Sequence, residues 1–424
     1  MPSRALWAAK ACGVAMRRRH GSGRCKLSLL RAFMSLNCPG RSGGALCHCG
    51  ETGVRCYSWI RCLVCGWVWV WAAWWAGPVH AQTVAFINPG KSDEIYWVTA
   101  AQAMAAAASS LGLALEVQYA QRDPLRVLAL ARALVARPRA QRPDYVVFTN
   151  DSATGVELLR LFDGSGIRCF MAFSGFSAAE EQQWGRPRQH FKHWLGSLEP
   201  RAEDAGYLTA QALIRAGRAA GAQAADGKLH LLAIGGDRST GSSIRRNQGL
   251  QRAVAEANDV VLDQLVYAGW SREKAAEQSD WLFDRYPNAR LIWAGSDLIA
   301  LGAMQTLEQR GGQPGKSMWF SGINTSAEAM QALRSGRLAA LAGGHFMAGA
   351  WALVMLFDYH HGRDFADEGL QMERPMFVLF TPAMADKFEA RFGQGFDAVD
   401  FRRYSKVLNP VTIRYSFEFA AFLR

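Results

Sequence analysis

The chain has 424 residues, half of them apolar, and a formal charge of +12. This length and apolar content exclude a disordered protein and suit two or three globular domains. Residues 1–81 hold 11 of the 48 Lys and Arg but a single acid, Glu51, so residues 82–424 carry only +2, which argues against a nucleic acid as partner.

Cysteine is divided along the chain in the same way as the charge. Eight of the nine Cys residues precede residue 82 and only Cys169 follows it, which excludes a disulfide within residues 82–424. The cysteines from Cys47 to Cys65 lack the two clean CxxC pairs of a zinc site. We therefore predict no metal and no other cofactor.

The early part of the chain contains a predicted signal peptide. An apolar segment at residues 62–77 follows two arginines and ends just before a small-x-small triplet at residues 79–81. The segment is short against the roughly 20 residues that cross a bilayer, and no basic flank follows it. We predict cleavage after Ala81 and export to the periplasm as a soluble protein, with Met34 as one candidate for the true start.

From residue 82 onward, short β-branched or aromatic runs alternate with longer amphipathic stretches, a pattern typical of parallel sheets covered by helices. The first predicted strands are 83–88, 114–119, 145–149 and 167–172, separated by helices at 96–111, from 124, and up to 161. After a looser stretch at 177–192, helices are predicted at 202–217, 242–257, 272–286 and 297–310, and strands at 229–234, 260–266, 290–294 and 318–323. We expect two similar doubly wound α/β lobes. The less regular residues from Ala385 onward have no predicted role.

The chemistry that an enzyme needs is absent from the sequence. There is no GxSxG, HExxH or GxxxxGK[ST] motif, and no GxGxxG after the first strand. The glycine-rich run 235–241 could cradle an anion, but it lacks the phosphate-loop lysine and is interpreted as a flexible loop. His360 and His361 are adjacent and point in different directions on a helix, so we interpret them as a helix end and not as a metal pair.

Four segments resemble the type I periplasmic binding proteins, the sugar-binding family that also supplies the ligand domain of Lac-type repressors. The strongest is LIWAGSDLIALGAMQTLEQRG at 291–311, and the second is SGINTSAEAMQALRSGRLAALAGG at 321–344. The third is SDEIYWVTAAQAM at 92–104, and the fourth is SSIRRNQGLQRAV at 242–254, followed by YAGW at 267–270. The resemblance extends from residue 83 to about residue 380.

The resemblance implies an α/β fold of two doubly wound lobes with parallel sheets, joined by a hinge of three crossings. The crossings are expected near residues 197–200, 344–346 and 377–380. The first lobe would then contain residues 82–197 and 345–377. The second would contain residues 198–344 and 378–424, including the irregular tail.

The resemblance also places the ligand in a cleft between the lobes, beyond the carboxyl ends of the strands, where doubly wound sheets bind ligands. We expect binding groups from the first lobe at Glu94, Tyr96, Trp97, Asn150 and Ser174, from the second lobe at Arg245, Trp270, Ser296, Asp297 and Asn324, and from the hinge at His345. Tyr96 and Trp97 match the paired aromatics that stack on a sugar ring in this family, and Trp270 falls on an aromatic that faces the ligand.

Several of these candidates also have a purely structural interpretation. The aromatics Tyr96, Trp97 and Trp270 are either stacking faces for a ligand or ordinary core side chains. Asp297 and Asn324 are either binding groups or N-caps of the helices that follow them.

Asn150 either contacts the ligand or merely ends a strand in a turn. The sequence also departs from the family pattern, with Ser296 in place of an Asn and Asn324 in place of a strand-ending Asp. Ile244 stands where the ligand-clamping Arg aligns best, and Arg245 follows it. These departures argue against a simple aldose as ligand.

We predict a monomeric periplasmic solute-binding protein that captures a small polar ligand, a sugar or sugar-like solute, and delivers it to an ABC permease. A sensory receptor that presents its ligand to a membrane histidine kinase or cyclase is the alternative. A secreted α/β hydrolase is the third hypothesis, disfavoured by the missing motifs. The signal peptide and the lack of a helix-turn-helix before residue 82 argue against a repressor.

Overall fold

The structure, a computed structural model, describes residues 81–424. The cysteine group and the signal peptide predicted for residues 1–81 therefore lie outside the described residues, apart from Ala81 itself. Within residues 81–424, none of the helices combines the length and the apolar character needed to cross a membrane.

The first half of the described chain alternates strands with helices, as predicted. Its elements are β1 Thr83–Asn88, α1 Ile95–Leu111, β2 Ala114–Tyr119, α2 Pro124–Ala136, β3 Tyr145–Phe148, α3 Gly155–Ser165, β4 Arg168–Ala172, α4 Ala178–Trp184 and β5 Trp194–Pro200. Helix α4 lies in the stretch for which no element was predicted. It begins at a capping box, in which Ser177 and Glu180 satisfy each other's backbone N–H groups.

The alternation continues through the second half. Its elements are α5 Ala202–Ala219, β6 Leu229–Gly235, α6 Gly241–Ala255, β7 Val260–Tyr267, α7 Arg272–Arg285, β8 Ala289–Ala294, α8 Asp297–Gln309, β9 Trp319–Ile323, α9 Ala327–Arg334, β10 Ala340–Gly343, α10 Ala348–His360, β11 Gln371–Arg374, β12 Val378–Leu379 and α11 Pro382–Phe392. Short 3-10 turns, such as His345–Met347, join some of them.

The strands form two sheets of six. The first has the order β11-β5-β4-β3-β1-β2 and the second the order β12-β10-β9-β8-β6-β7. All pairs within the first sheet are parallel, and in the second only β12 runs antiparallel, against β10. The central strands β1, β3, β6 and β8 are buried almost throughout, because helices cover both faces of a parallel sheet. The predicted class of fold, two doubly wound lobes, is confirmed.

The chain passes between the two sheets three times before its C-terminal tail. β5 ends in the first sheet at Pro200, and α5 then packs against α6 in the second lobe. After β10, helix α10 packs against α1 and so belongs to the first lobe despite its late position. The third change falls between β11 and β12.

The C-terminal tail makes a further passage between the lobes. Helix α11 packs against α9 of the second lobe, but the 3-10 turn Phe401–Tyr404 packs against α1 and α10 of the first. The ring of Phe417 stacks on Trp351 of α10 at 5.3 Å. The sequence predicts the whole tail in the second lobe, whereas its last part covers the first, because its aromatic side chains pack against α10.

The tail is also attached to α10 by a buried carboxylate. Asp358 is fully buried and accepts hydrogen bonds from the Lys406 N–H at 2.7 Å and the Tyr415 hydroxyl at 2.9 Å, as well as from the Ser405 hydroxyl. The buried Lys406 ammonium pairs in turn with Glu368 at 2.5 Å. The tail is thus part of the folded unit.

Candidate functional site

A cleft lies between the carboxyl ends of the two sheets, and about 40 Å³ of it is open to the centre of a water-sized sphere in the arrangement described here. Almost every residue that lines it follows the end of a strand, as expected for doubly wound sheets. The lining residues are Glu94, Tyr96, Trp97, Arg122, Asp151, Phe173, Ser174, Pro200, Ala202, Ser242, Arg246, Trp270, Ser296, Leu298, Asn324 and His345.

The cleft brings together most of the side chains proposed from the sequence. Those that line it are Glu94, Tyr96, Trp97, Ser174, Trp270, Ser296, Asn324 and His345. Asn150, Arg245 and Asp297 do not line it, and each is engaged with protein groups instead.

Asn150 holds two loops of the first lobe together. Its Nδ2 donates to the Gly175 carbonyl at 3.1 Å and to the Glu180 carboxylate at 3.0 Å, and its Oδ1 accepts from the Gly155 N–H at 2.8 Å. These bonds use both ends of the buried side chain. Asn150 therefore supports the loops after β3 and β4 from behind.

Asp297 has a similar supporting role in the second lobe. Its carboxylate accepts from Asn324 Nδ2 at 2.8 Å and from the Ser326 N–H at 3.1 Å. The helix caps are not Asp297 and Asn324 but the neighbouring Ser296 and Ser326, whose hydroxyls accept from the first turns of α8 and α9. Asp297 thereby fixes the loop that places Asn324 in the cleft.

Arg245 connects the lobes beside the cleft. It lies on α6 of the second lobe, and its Nη1 contacts two carboxylates of the first sheet, Glu373 at 2.9 Å and Glu199 at 3.2 Å. Its Nη2 donates to the Phe176 carbonyl at 3.2 Å. Arg245 thus ties the lobes together in the arrangement seen here.

We expect Arg245→Gln to weaken ligand binding by about threefold to tenfold, roughly 1 kcal/mol, because its ion pairs form only when the lobes are close. Titration calorimetry measures the change. Arg252→Gln is the matched control, since Arg252 lies on the same helix but pairs with Glu203 of its own lobe. Equal effects of the two substitutions would contradict an interlobe role.

Arg122 is a cleft residue that the sequence analysis missed. It lies in the loop after β2 with a left-handed φ of 62°, and its Nε donates to the Glu94 carboxylate at 2.9 Å. Its guanidinium lies 5.9 Å from the ring centre of Trp97 and 5.8 Å from that of Trp270. The guanidinium therefore contacts aromatic rings of both lobes.

Asp151 is the second missed residue. Burial raises the pKa of its carboxyl to about 6, with a further contribution from the negative charges of Asp237 and Glu94, while Arg122 opposes the rise. The nearest cation, Arg122 Nη1, is 3.6 Å away. Asp151 is thus a poorly compensated carboxylate at neutral pH, suited to accept hydrogen bonds from a ligand.

Arg246 is the third missed residue, one position beyond the arginine that was proposed. It is 5% exposed, and it donates to the Gly295 carbonyl at 2.7 Å and to His345 Nε2 at 2.9 Å. Burial lowers the pKa of Arg246 to about 10, which leaves it charged at neutral pH. Burial and the Arg246 charge lower the pKa of His345 well below its ordinary value, so this imidazole is neutral and carries its hydrogen on Nδ1.

The aromatic side chains differ in how deeply they are buried. Trp97 is 3% exposed and packs edge-on against Phe173, so it serves the core as well as the cleft. Trp270 is partly exposed, and its Nε1 donates to Asp237 at 2.5 Å. A Cβ on Gly236 would come within 2.3 Å of the Trp270 ring, which explains the glycine there. Tyr96 stacks on His345 at 4.8 Å.

The glycine-rich loop after β6 is not a free anion cradle. The Asp237 carboxylate accepts from the Ser239 N–H at 2.8 Å and from the Thr240 N–H at 2.6 Å. The loop amides are therefore satisfied by a carboxylate of the same loop. His360 and His361 do not face a common site either, because His360 Nδ1 bonds to the Tyr145 hydroxyl and His361 Nδ1 to the Phe357 carbonyl.

Four buried polar atoms of the cleft have no hydrogen-bond partner within residues 81–424. They are Trp97 Nε1, Ser174 Oγ, Arg246 Nε and His345 Nδ1. Buried polar atoms are nearly always hydrogen-bonded in folded proteins, so these four are suited to meet a polar ligand.

A hydrolase needs a nucleophile, a base and an orienting acid within hydrogen-bond reach. The cleft contains Ser, Asp and His, but among the hydrogen bonds of the described chain His345 has Arg246 as its partner and neither a Ser nor an Asp. The geometry therefore gives no support to the hydrolase hypothesis.

Two doubly wound lobes that enclose a cleft lined by aromatic and polar side chains define a bilobal solute-binding protein. The chain belongs to the periplasmic binding proteins, because the family model described as "periplasmic binding protein domain" matches residues 84–364. This family consists of solute-binding proteins of the periplasm and not of enzymes.

Solved structures agree with this assignment. The chain is 39% identical to a periplasmic sugar-binding protein from Pseudomonas fluorescens, with a TM-score of 0.73, covering 81% of this chain and 100% of that one. It shares its fold with the binding protein of the arabinose ABC transporter from Shewanella sp. ANA-3, at 17% identity and TM-score 0.61, covering 74% and 96% of the two chains. It also shares its fold with an ABC transporter solute-binding protein from Actinobacillus succinogenes solved with D-allose, at 18% identity and TM-score 0.61, covering 72% and 99%. A search of curated proteins gives no match.

Proposed function

We propose that this protein captures a sugar or sugar-like solute in the cleft between its lobes and delivers it to an ABC permease. The observation that carries the proposal is the group of unpaired polar atoms, described above, in a cleft that is also lined by aromatic rings from both lobes. Sugars present both hydroxyl groups and apolar ring faces, and this cleft offers partners for both. The 39% identical relative, which is named as sugar-binding, supports the same ligand class.

The proposed ligand contacts come from both lobes. Aromatic faces are offered by Tyr96, Trp97 and Trp270. Polar contacts are proposed for Glu94, Arg122, Asp151, Ser174, Ser242, Arg246, Ser296, Asn324 and His345. Asn150, Arg245 and Asp297 are assigned to positioning these groups and the lobes, because their side chains are already engaged by protein partners.

The proposed function requires export of the protein to the periplasm. A signal peptide that ends at Ala81 would release a chain beginning at Gln82, just before β1. The protein would act as a monomer that presents its closed form to the permease. Mass spectrometry of the exported protein tests the cleavage site, and a first residue other than Gln82 would contradict it.

A thermal-shift screen against sugars, polyols, sugar acids, nucleosides and amino acids tests the proposed ligand class. A ligand that binds only the folded protein raises the melting temperature in proportion to the logarithm of its concentration. We expect a rise with a sugar-type compound, with an affinity in the micromolar range or better, roughly 8 kcal/mol. A rise only with nucleosides or amino acids would contradict the proposal.

We expect Trp270→Ala to weaken binding of that ligand at least fivefold, about 1 kcal/mol, because the substitution removes one aromatic face of the cleft. Titration calorimetry measures this effect. Trp281→Ala is the matched control, since Trp281 is 44% exposed on α7, outside the cleft. An unchanged affinity in the Trp270 variant would show that Trp270 does not contact the ligand.

A further inference from the structure

The charges of the cleft are unequally compensated. Arg122 forms an ion pair with Glu94 and has Asp151 as a second neighbour at 3.6 Å. Arg246 is more deeply buried, at 5% exposed. Across residues 81–424, no carboxylate lies within ion-pair distance of it. Its partners are the Gly295 carbonyl and the neutral His345 ring.

The carboxylate best placed to neutralise Arg246 is engaged elsewhere. Asp297 is close enough to influence the Arg246 charge, but its oxygens accept from Asn324 Nδ2 at 2.8 Å, the Ser326 N–H at 3.1 Å and the Leu298 N–H at 2.9 Å. A buried charge without a counter-charge is unfavourable. The ligand-free cleft therefore contains one cation that lacks a paired anion.

Three of the four unpaired polar atoms of the cleft are N–H donors. Arg246 Nε and Trp97 Nε1 each carry an unpaired hydrogen. His345 Nδ1 carries another, because His345 Nε2 accepts from Arg246. N–H groups cannot accept hydrogen bonds, so they suit an acceptor-only group. A carboxylate is such a group, and its bonds with a guanidinium are among the strongest in proteins.

We propose, building on the proposed function, that the cleft selects a sugar acid, a polyhydroxylated monocarboxylate, with its carboxylate against Arg246. Arg246 has no paired anion, so the ligand carboxylate supplies its counter-charge, whereas the acids Glu94 and Asp151 share Arg122. The hydroxyl groups of the ligand then bond to acceptors of the cleft such as Asp151 and Asn324. The same arrangement disfavours a neutral sugar, which leaves the Arg246 charge without a counter-ion.

Calorimetric titration of the purified protein with matched pairs tests this selection. The pairs are D-glucuronate with D-glucose, D-galacturonate with D-galactose, and D-gluconate with D-glucitol. We expect the acid of at least one pair to bind at least tenfold more tightly than its neutral partner at pH 7. Neutral members that bind as tightly as the acids in every pair would overturn the inference and leave the proposed sugar-binding function standing. Absence of binding by all three acids would overturn the inference, and absence of a rise with any sugar-type compound in the thermal-shift screen would overturn the proposed function as well.

Substitution of His345 provides a second test. His345→Asp places a carboxylate beside Arg246 and supplies the missing counter-charge, so the ratio of acid to neutral affinity should fall at least tenfold. His345→Asn keeps this position neutral and should retain the preference for the acid. An equal ratio in the two variants would overturn the inference, even if both variants bind more weakly than the natural protein.

Discussion

Asp151→Asn is expected to stabilise the ligand-free protein at pH 7 by about 3 kcal/mol. The folded protein raises the pKa of this buried carboxyl from 3.8 to about 6, chiefly by burial, and that difference corresponds to roughly 3 kcal/mol. Because the pKa is raised, the stability linked to Asp151 is fully present below about pH 4 and is lost as the pH rises through 6. An uncharged Asn avoids this loss.

Denaturant unfolding at pH 7.5 and at pH 4 measures this effect. The gain should be present at pH 7.5 and nearly absent at pH 4. Asp163→Asn is the control, because His193 and neighbouring N–H groups hold the pKa of Asp163 below its ordinary value, so this substitution should lose stability at pH 7.5. A gain from Asp151→Asn of equal size at both pH values would show that the ionised carboxylate is not its cause.

The same substitution should also weaken ligand binding at least tenfold. Asn offers a single acceptor oxygen and no charge where Asp151 offers a carboxylate. Asp151 would then lower the stability of the ligand-free protein and raise its affinity for the ligand. Such a conflict between stability and function is common in binding sites. Ligand affinity unchanged in the Asn variant would exclude Asp151 from the contacts.

Asp358→Ala is expected to destabilise the protein by about 3–5 kcal/mol. The change leaves the Ser405 hydroxyl, the Lys406 N–H and the Tyr415 hydroxyl without their acceptor in a buried place, and removing one partner of a buried charged network costs about this much. The tail should then detach from α10 and become accessible to proteases. Chemical unfolding and limited proteolysis measure the two effects.

Asp367→Ala is the control for the tail. Asp367 contacts the side-chain ammonium of Lys406 at 3.2 Å, whereas Asp358 accepts from its backbone N–H. The Asp367 side chain is 45% exposed. An exposed ion pair contributes at most about 1 kcal/mol. A loss below 1 kcal/mol in the Asp358 variant would mean that this network does not hold the tail in place.

The two lobes could be predicted from sequence because their strands are buried on both faces. Runs such as Tyr145–Phe148 and Ala289–Ala294 are almost wholly apolar, and amphipathic helices separate them. The path of the tail could not be predicted in this way. Phe417 finds its partner, Trp351, more than sixty residues earlier in the chain, and no local pattern indicates such a contact.

The position of the site could be predicted because loops after parallel strands meet at one edge. The individual side chains that line the cleft were harder to predict than its position. Arg245 and Arg246 are adjacent on α6 and point about 100° apart, so one faces the interlobe ion pairs and the other the cleft. Arg122 enters the cleft through a turn with a left-handed backbone, and Asp297 is withdrawn by its bond to Asn324. Such choices depend on helix rotation and on polar partners, which the sequence alone does not specify.

Titration calorimetry of the natural protein and of a variant that combines Trp270→Ala with Asp151→Asn tests the claim that the sugar-type ligand binds in the cleft. The claim predicts that a sugar or sugar acid binds the natural protein at one site, with a dissociation constant in the micromolar range or lower. It also predicts that the double variant, although folded, binds this ligand at least fiftyfold more weakly. Sugar binding of equal strength in both proteins would contradict the claim, because the ligand would then bind outside the cleft.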